Sequence, residues 1–359
     1  MLEVLVAVED YVNHKNTVAH RFVHVRNLYY QRHGINVTVL NFRTSDEYMI
    51  DGIRVIGLAQ YKDEKTKFDV LICHQANLKH HYLFLKKYGE RFKKFIFFFH
   101  GHEVLNINKV YAKPYDYNSK SFFKYYLQSA YDEFKLNVWK KYYDSVVEKS
   151  KFVFVSQWML NEFLKWVKIP YSKIKDNTYI TYNCIGEEFE NSIFDMQKNK
   201  IYDFITIRSN LDGSKYCIDV VNNLAKYNSN LTFLVVGKGK FFDHYQKAPN
   251  LTWLNTALNH KEIVNLLNKS RCALMPTRTD AQGLMMCEMA SIGIPLITSD
   301  IPVCHEVFDG FKNVALIKND SDINLTEILD KLENGLPYER NTKYYNSNTS
   351  FNEIKIIKS

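Results

Sequence analysis

Short runs of β-branched and aromatic residues alternate with longer helix-patterned stretches through most of this 359-residue chain, and the alternation begins again near residue 190. Strands that alternate with helices predict a parallel sheet covered by helices on both faces. The polar stretch Glu187–Ser192 lies between the two series, and a chain of this length is expected to form about two domains. The pattern therefore predicts an α/β protein of two doubly wound, Rossmann-like domains.

The predicted elements follow this alternation in both halves of the chain. Strands of the first domain are expected at 2–8, 36–42, 53–58, 69–73, 95–99, 151–155 and 178–182, with helices at 17–33, 78–92, 119–149 and 157–168. Strands of the second are expected at 203–207, 231–236, 251–254, 272–275, 295–298 and 314–317. The predicted domains are 1–190 and 191–337. The polar tail 338–359 is expected either to pack back on the N-terminal domain or to lie elsewhere.

The composition of the chain indicates which kind of phosphate site and which cellular compartment to expect. Only 13 residues are glycine, about half the usual share, so a phosphate site is expected to use side chains and helix ends instead of a glycine-rich loop. The six cysteines are scattered without a Cys-x-x-Cys pair, which favours free thiols in a reducing cytosol. The N-terminus predicts a strand and not a signal peptide, and no apolar run reaches 18 residues. A cytoplasmic protein is expected.

Nearly all of the net charge of +8 lies in residues 1–190, which carry 28 Lys and Arg against 21 Asp and Glu. Basic and aromatic residues alternate in the segments Lys79–Tyr88 and Arg91–Lys94. Such a surface suits an anionic membrane or a lipid-phosphate substrate, so peripheral contact with the inner membrane face is one hypothesis. An ordinary helix with a solvated basic face is the other. A nucleic-acid partner is not expected, because no binding motif accompanies the charge.

The segment Met275–Ala290 carries the richest set of candidate ligand-binding groups. A strand leads into a polar loop that contains Asp280, and a helix is expected to start near Gly283. The backbone N–H groups of Gly283, Leu284 and Met285 are expected to be unpaired there and to favour a phosphate. Glu288 follows one turn later in an apolar context, where an idle charge is costly. Two acids and a helix start therefore predict a site for an anionic, hydroxyl-rich ligand. Alternatively, Asp280 caps the loop and Glu288 is a surface acid.

Two further strand ends carry candidate site residues. Arg208 leaves the first strand of the second domain and Lys215 begins the next helix, so the two cations are expected to neutralise a diphosphate without a metal. His100 and Gly101 follow the strand 95–99, where His100 is expected to be a polar group facing the ligand. A zinc interpretation of the His-x-His at His100 and His102 lacks further ligands at suitable spacing. A satisfied structural histidine is the remaining alternative.

Other patterns are not accepted as sites. Asp320-Ser321-Asp322 precedes a helix, where N-capping explains it better than metal binding. The turn that contains Gly237 lacks the third glycine of the dinucleotide fingerprint, and the chain has neither a P-loop nor a Gly-x-Ser-x-Gly elbow. No metal and no cofactor is expected.

These segments together resemble the retaining glycosyltransferases of family 4 (glycosyltransferases group 1), which have the GT-B fold of two Rossmann-like domains facing a central cleft. Asp280-x7-Glu288 stands in the place of that family's Glu-x7-Glu element, and Arg208 and Lys215 look like its phosphate-binding pair. Further similarities are the Val-Gly-x-Gly turn at Val235–Gly239, the helix start at Asn259–Glu262, the junction Tyr182–Ile185 and the histidine at His100. The resemblance spans roughly 1–320 and is most specific in 200–310.

The resemblance implies an acceptor-binding N-terminal domain and a donor-binding C-terminal domain. The implied reaction is metal-independent transfer of a hexose-type sugar from a nucleoside diphosphate, with UDP favoured, to a hydroxyl of a saccharide or lipid-linked saccharide. Arg208, Lys215 and the amides of Gly283 to Met285 would hold the diphosphate, Glu288 the ribose, and Asp280 and His100 the sugar. The leaving phosphate itself would take the acceptor proton. Synthesis of a cell-surface polysaccharide or glycoconjugate is the expected setting.

The sequence departs from the family pattern at two places, and these departures leave a second function open. Asp280 replaces the usual Glu, and Asn13–Thr17 replaces a glycine pair after the first strand. These changes leave open a degenerate partner subunit that binds a nucleotide sugar or stabilises an active transferase, although the presence of Arg208, Lys215 and Glu288 favours an enzyme. A two-domain ligand-binding receptor would need export, which the N-terminus does not support.

Overall fold

A computed structural model describes residues 2–16, 19–119 and 121–359. The chain forms two compact units, each built on its own sheet. Unit 1 comprises residues 1–106, 129–184 and 345–359, and unit 2 comprises residues 107–128 and 185–344. This division differs from the predicted boundary at 190, and each unit takes a segment from the other half of the sequence.

The sheet of unit 1 has eight strands in the order β3-β4-β2-β1-β5-β6-β7-β8. All neighbouring pairs are parallel except β3 with β4, which is antiparallel. The direction of winding reverses between β1 and β5, which makes the carboxyl ends of these two strands the switch point of the sheet. The strands are β1 (Leu2–Val8), β2 (Ile35–Asn41), β3 (Tyr48–Ile50), β4 (Ile53–Ile56), β5 (Val70–His74), β6 (Lys94–Phe99), β7 (Ser150–Phe154) and β8 (Thr178–Ile180).

The sheet of unit 2 has six parallel strands in the order β11-β10-β9-β12-β13-β14. This is the 3-2-1-4-5-6 order of dinucleotide-binding folds, with the switch point between β9 and β12. The strands are β9 (Tyr202–Asn210), β10 (Phe233–Lys238), β11 (Leu251–Leu254), β12 (Ser270–Leu274), β13 (Leu296–Ser299) and β14 (Val314–Ile317).

Helices connect the strands in both units, as the alternating pattern predicts. The first seven are α1 (Arg21–Arg32), α2 (Leu58–Asp63), α3 (Leu83–Tyr88), α4 (Ile107–Val110), α5 (Phe122–Val146), α6 (Gln157–Val167) and α7 (Tyr171–Ile174). The others are α8 (Glu187–Glu190), α9 (Ile218–Tyr227), α10 (Phe241–His244), α11 (His260–Asn268), α12 (Leu284–Ser291), α13 (Pro302–Val307), α14 (Leu325–Glu333) and α15 (Ser350–Lys358). The described residues contain no helix with the length and low charge that crossing a bilayer requires.

Most predicted elements are present, with three differences of physical interest. Strand β3 escaped prediction because three residues are too few to show an alternating pattern. The segment predicted as one helix at 78–92 is a π-turn, the helix α3 and a 3₁₀ turn in succession. The predicted helix at 17–33 begins at Arg21, and Thr17 and Val18 lie outside the described residues.

The basic segment 79–94 does not expose the aromatic side chains that the sequence suggested. Phe84, Tyr88 and Phe92 are buried, and the first two pack against Tyr61. Lysines of this segment, such as Lys86, point to solvent. The rings belong to the core of unit 1, which is the outcome expected for an amphipathic helix with a solvated basic face.

Exposed rings lie instead on α5, which runs from unit 2 into unit 1 at residues 128–129. Phe123 and Phe134 are 70% and 62% exposed, and Leu127 and Tyr131 are also exposed. Their spacing of three and four residues places them along one face of the helix. The opposite face contains the fully buried Trp139.

Two segments lie in a unit that chain order alone would not assign. Residues 107–128 belong to unit 2, where Tyr115 joins the hydrophobic core around Phe204 and Phe233. The predicted tail 338–359 is divided, since 338–344 belongs to unit 2 and 345–359 to unit 1. The reason for the second assignment is apolar: Ile354, Ile356 and Ile357 of α15 lie in the core of unit 1.

A buried ion pair accompanies the apolar contact of α15. Arg26 of α1 donates from Nε to both carboxylate oxygens of Glu353, at 3.0 and 3.1 Å, and from Nη2 to Asn183 at 2.8 Å. The hydroxyls of Tyr30 and Thr181 also donate to Glu353. Both charged side chains are fully buried. Removal of either partner would therefore leave an uncompensated charge in the core.

We expect Glu353→Ala to destabilise unit 1 by about 3–5 kcal/mol, since it leaves Arg26 buried without its carboxylate. The exposed Lys355, two residues away on the same helix, is the control, and Lys355→Ala should change stability by less than about 0.5 kcal/mol. Urea unfolding followed by circular dichroism measures both, and hydrogen exchange in α1 and α15 localises the effect. Equal stability of the two variants would show that the pair is not required.

Candidate active site

The carboxyl ends of β9 and β12 bring two of the predicted site segments together. These strands are neighbours on either side of the switch point of unit 2, where open α/β sheets bind their ligands. Arg208 lies near the end of β9, and the loop that begins at Pro276 leads from β12 to α12. Arg208 donates from Nη2 to the carbonyl of Pro276 at 2.8 Å. The first predicted pair of segments is therefore in direct contact.

Arg208 is a buried cation without a carboxylate partner among the described residues. Its side chain is 6% exposed, and its Nε–H has no hydrogen-bond partner in the described part of the chain. The guanidinium carbon lies 5.1 Å from the centre of the Tyr216 ring. Burial lowers the pKa of Arg208, and the charge of Asp280 acts in the opposite direction. A buried guanidinium with a free donor is well suited to an anion.

Gly237 allows β10 to approach the backbone of Arg208 closely. Its φ of +152° is a conformation that L side chains rarely adopt, and a Cβ built on it would lie 2.1 Å from the carbonyl oxygen of Arg208. Any side chain at this position would therefore displace the end of β9. The contact that Gly237 makes is with protein backbone, and its predicted role in binding the donor stays a prediction.

Lys215 lies between two aromatic rings in the 3₁₀ turn Ser214–Tyr216, shortly before α9. Its Nζ is 4.9 Å from the ring centre of Tyr216 and 5.0 Å from that of Tyr111. Arg208 approaches the same Tyr216 ring, so both predicted cations gather around one aromatic side chain. Such cation–π contacts hold an ammonium group without neutralising its charge, so Lys215 keeps its charge available for an anion.

Residues 107–118 form a strap on this edge of unit 2, which the sequence analysis assigned to the other domain. The carbonyl of Val110 accepts from the Thr279 hydroxyl at 3.2 Å, and the Tyr115 hydroxyl donates to Asp219 at 2.9 Å. Through Tyr111 the strap also reaches Lys215. No sequence motif marks this segment, since the contacts come from single tyrosines and backbone carbonyls.

Arg278 joins the two loops that carry the candidate groups. It forms a salt bridge with Asp219 at 2.6 Å, and its Nη1 donates to the carbonyl of Ser214 at 2.6 Å. Its backbone N–H donates to the carbonyl of Lys215 at 2.8 Å. Arg278 therefore positions the Lys215 turn against the loop after β12. Its role could not be predicted from the sequence, because an arginine in a polar loop carries no signal of its partner.

Asp280 acts as a backbone cap, which was the alternative interpretation. Its Oδ1 accepts from the N–H groups of Ala281 at 2.8 Å and Gly283 at 2.9 Å. The amide of Gly283 is therefore paired, contrary to the expectation. Those of Leu284 and Met285 have no hydrogen-bond partner within the described residues. The second carboxylate oxygen of Asp280, Oδ2, accepts no hydrogen bond from any described residue. One oxygen of Asp280 therefore supports the loop, and the other is unused.

Glu288 is not a surface acid. It lies on α12 with 3% of its surface exposed, and it accepts a hydrogen bond from the backbone N–H of Gly186. Burial raises the pKa of Glu288 to about 8, and the Gly186 contact opposes the rise. The carboxyl group is therefore mostly protonated at neutral pH. A buried acid with one backbone donor retains capacity for a hydroxyl-bearing ligand.

In unit 1, His100 follows β6 at a turn held by a buried acid. Glu103 accepts from the backbone N–H groups of His100 and of Gly101, the latter at 3.1 Å. Gly101 has φ +151°, which favours glycine. The His100 ring lies 4.7 Å from that of Phe22 and is hydrogen-bonded to His74. Burial is the largest cause that lowers the pKa of His100 well below its usual value.

The competing metal interpretations gain no support from the described residues. Within them no group of three or more His, Cys, Asp or Glu side chains could hold a metal ion. His102 is largely exposed and His100 is paired with another histidine. Before α14 the N-cap is Asn324, whose side chain accepts from Thr326 N–H at 3.1 Å. The cap thus comes from the same polar loop as Asp320-Ser321-Asp322, but from a later residue.

The structure gathers most of the predicted site residues in unit 2 and leaves His100 in unit 1. The predicted residues of unit 2 are Arg208, Lys215, Gly237, Asp280, Gly283, Leu284, Met285 and Glu288. The residues that support them and that the sequence analysis did not find are Tyr111, Tyr115, Tyr216, Asp219 and Arg278. Only tertiary contacts reveal this second set.

The wild-type protein is expected to lose stability as the pH rises from about 4.5 to about 8, and the variant Glu288→Gln should not show this loss. A buried acid with a raised pKa contributes its full stability below the unfolded pKa and loses it as the pH rises through the folded pKa. Glutamine has similar shape and no charge, so the variant should be more stable than the parent above pH 8. Thermal unfolding across this pH range measures the effect. An unchanged pH profile would mean that Glu288 is not desolvated.

Residues 204–334 match the family model described as glycosyl transferases group 1. Two curated relatives from Escherichia coli, both named O-antigen biosynthesis glycosyltransferase WclY, are 44% identical over 50 residues, which is 14% of this chain and 14% of each relative. The chain therefore aligns with about a seventh of the length of these relatives.

Solved structures align over the whole chain at low identity. The sucrose-phosphate synthase of Thermosynechococcus elongatus has a TM-score of 0.66 at 11% identity, covering 100% of this chain and 94% of that one. WaaG, a glycosyltransferase involved in lipopolysaccharide biosynthesis, has a TM-score of 0.60 at 13% identity and covers 99% of each chain. These likenesses and the two Rossmann-like sheets show a two-domain GT-B fold. The family match lies within unit 2, and the solved structures show the fold alone.

Proposed function

We propose that this protein is a retaining, metal-independent hexosyltransferase of family 4. It moves a sugar from a nucleoside diphosphate, with UDP the favoured nucleotide, to a hydroxyl of a saccharide acceptor. The observation that carries the proposal is the buried guanidinium of Arg208, which has an unpaired Nε–H and no carboxylate partner among the described residues. It lies at the switch point of a sheet whose strand order is that of nucleotide-binding domains.

A diphosphate would supply the negatively charged partner that Arg208 lacks among the described residues. Arg208 and Lys215 bring two cations to one ring, and the unpaired amides of Leu284 and Met285 begin α12. When the glycosyl bond breaks, negative charge grows on the departing diphosphate and the sugar becomes oxocarbenium-like. Preorganised donors at the place where charge develops lower the barrier without costly rearrangement.

Groups with free hydrogen-bonding capacity suit the rest of the donor. Glu288 would bind ribose hydroxyls, and its raised pKa means that it can enter the contact as a donor or an acceptor. The unused Oδ2 of Asp280 would bind the sugar in unit 2, and the family resemblance gives His100 of unit 1 a sugar contact as well. The bond from C1 to the diphosphate oxygen breaks, the bond from C1 to the acceptor oxygen forms on the same face, and the acceptor proton passes to the leaving phosphate.

The acceptor is proposed from the relatives and from one surface. Matched proteins are named for O-antigen and lipopolysaccharide biosynthesis, so we propose a saccharide or lipid-linked saccharide acceptor in cell-surface polysaccharide synthesis. A lipid-linked acceptor lies at a membrane. The exposed rings of α5, flanked by the exposed Lys124 and Lys141, would contact an anionic bilayer peripherally. We therefore propose α5, and not the segment 79–94, as the membrane contact.

We expect Arg208→Ala and Lys215→Ala each to weaken UDP binding and to abolish sugar transfer, because either change removes a charge-assisted phosphate contact. The exposed Lys226 on α9 of the same unit is the control for lost positive charge. Calorimetry with UDP and GDP measures binding, and melting-temperature shifts over nucleotide sugars identify the donor. Wild-type affinity in both variants would contradict the phosphate site.

The reaction should persist in EDTA, and binding without donor hydrolysis or transfer would indicate the degenerate partner instead.

We expect Phe123→Glu combined with Phe134→Glu to abolish co-sedimentation with vesicles of anionic phospholipid. The double change replaces two rings that can enter the interface with charges that the lipid surface repels. The comparison is Lys86→Glu with Lys93→Glu, which reverses charge on the segment 79–94 and should leave more binding. If the lysine variant loses binding and the phenylalanine variant keeps it, the segment 79–94 is the membrane surface and the assignment to α5 is wrong.

A further inference from the structure

His74 and His100 occupy adjacent strand ends at the switch point of unit 1. His74 is the last residue of β5, and His100 immediately follows β6, the neighbouring strand. The winding of the sheet reverses between β1 and β5, so this edge is where a ligand is expected. His74 is fully buried, whereas His100 is partly exposed. The sequence pattern indicates a role for His100 and carries no signal for His74.

The two imidazoles share one hydrogen bond, between His74 Nδ1 and His100 Nε2 at 3.0 Å. Burial lowers the pKa of both rings well below the usual value, and the nearby Arg26 adds to the effect. Each ring is therefore neutral, with one N–H and one lone pair. Only two arrangements are consistent with the contact: either His74 donates from Nδ1, or His100 donates from Nε2.

The surroundings of His74 distinguish these arrangements. Its other nitrogen, Nε2, is buried and has no hydrogen-bond partner among the described residues. The ring stacks on Phe98 at 4.5 Å and meets Phe22 edge-on at 6.3 Å. If His100 donated, His74 would carry its proton on this buried, unpaired Nε2. Orphaned buried N–H groups are rarer than unsatisfied acceptors, so His74 donates from Nδ1.

We propose that His74 is a positioning residue that holds His100 in the tautomer protonated on Nδ1. His100 Nε2 is occupied as an acceptor, and its Nδ1–H remains as the donor for a ligand. The ring then recognises an oxygen that accepts a hydrogen bond, such as a hydroxyl or ring oxygen of a sugar. The tautomer follows from the two rings alone. The identity of the ligand as the donor sugar rests on the proposed function.

Nitrogen-15 NMR of histidine-labelled protein tests the tautomer directly, because protonated and unprotonated imidazole nitrogens have well-separated shifts. His100→Gln assigns the signals. We expect His100 of the wild type to be protonated on Nδ1. His74→Phe removes the donor, and His100 should then move to the Nε2–H form that free imidazole side chains favour. His74→Asn, whose amide nitrogen lies near the position of Nδ1, should restore the Nδ1–H form. A wild-type His100 protonated on Nε2 would overturn the proposal.

Kinetics with the donor separates this inference from the proposed function. His74→Phe should lower kcat/KM by about tenfold, the usual value of one hydrogen bond to a neutral group, and His74→Asn should recover most of the loss. Circular dichroism and melting temperatures control for folding. If the protein transfers no sugar, the NMR result still decides the tautomer. If transfer occurs but His74→Phe changes neither rate nor tautomer, His74 has only a packing role.

Discussion

The candidate site is arranged around one constraint, the buried guanidinium of Arg208, which has no salt-bridge partner among the described residues. Desolvation makes such a charge costly, yet the described residues supply Arg208 with a carbonyl, an aromatic ring and the more distant charge of Asp280, and with no salt bridge. The close approach of β10 at Gly237 fixes the backbone beneath it. A protein can hold a charge in this state where an anionic ligand completes its coordination.

The fold could be predicted from the sequence because its signals are local. Alternating apolar strands and amphipathic helices specify parallel sheets whatever their partners are, and 13 of the 14 observed strands overlap a predicted one. Failures occurred where the signal is not local. The strap 107–118 joins unit 2 through Tyr115, and α15 joins unit 1 through Glu353 and three isoleucines. The residues within each segment do not indicate which distant part of the chain the segment will pack against.

The candidate site was predictable only in its residue types. Strand ends and a helix start identified Arg208, Lys215 and Glu288, and the burial of Glu288 agrees with the apolar letters around it. The hydrogen-bond partners and the exposure of each side chain could not be predicted from the sequence. Asp280 uses one oxygen to cap a loop, which depends on the φ and ψ angles of a few residues. The aromatic residues Phe84, Tyr88 and Phe92 of the segment 79–94 are buried, whereas Phe123 and Phe134 of α5 are exposed.

The two switch points differ in charge, and the difference matches the chemistry proposed for each. In unit 2 the strand ends present cations, which suit a leaving group that gains negative charge as the bond breaks. In unit 1 the strand ends present two neutral histidines in an aromatic surrounding. A cation at that position would repel an oxocarbenium-like sugar, whereas a neutral N–H binds its oxygens without opposing the charge. Burial lowers the pKa of His100 well below its usual value, so under the proposed function the ring binds the sugar in its neutral form, with its one proton directed by the proposed hydrogen bond from His74.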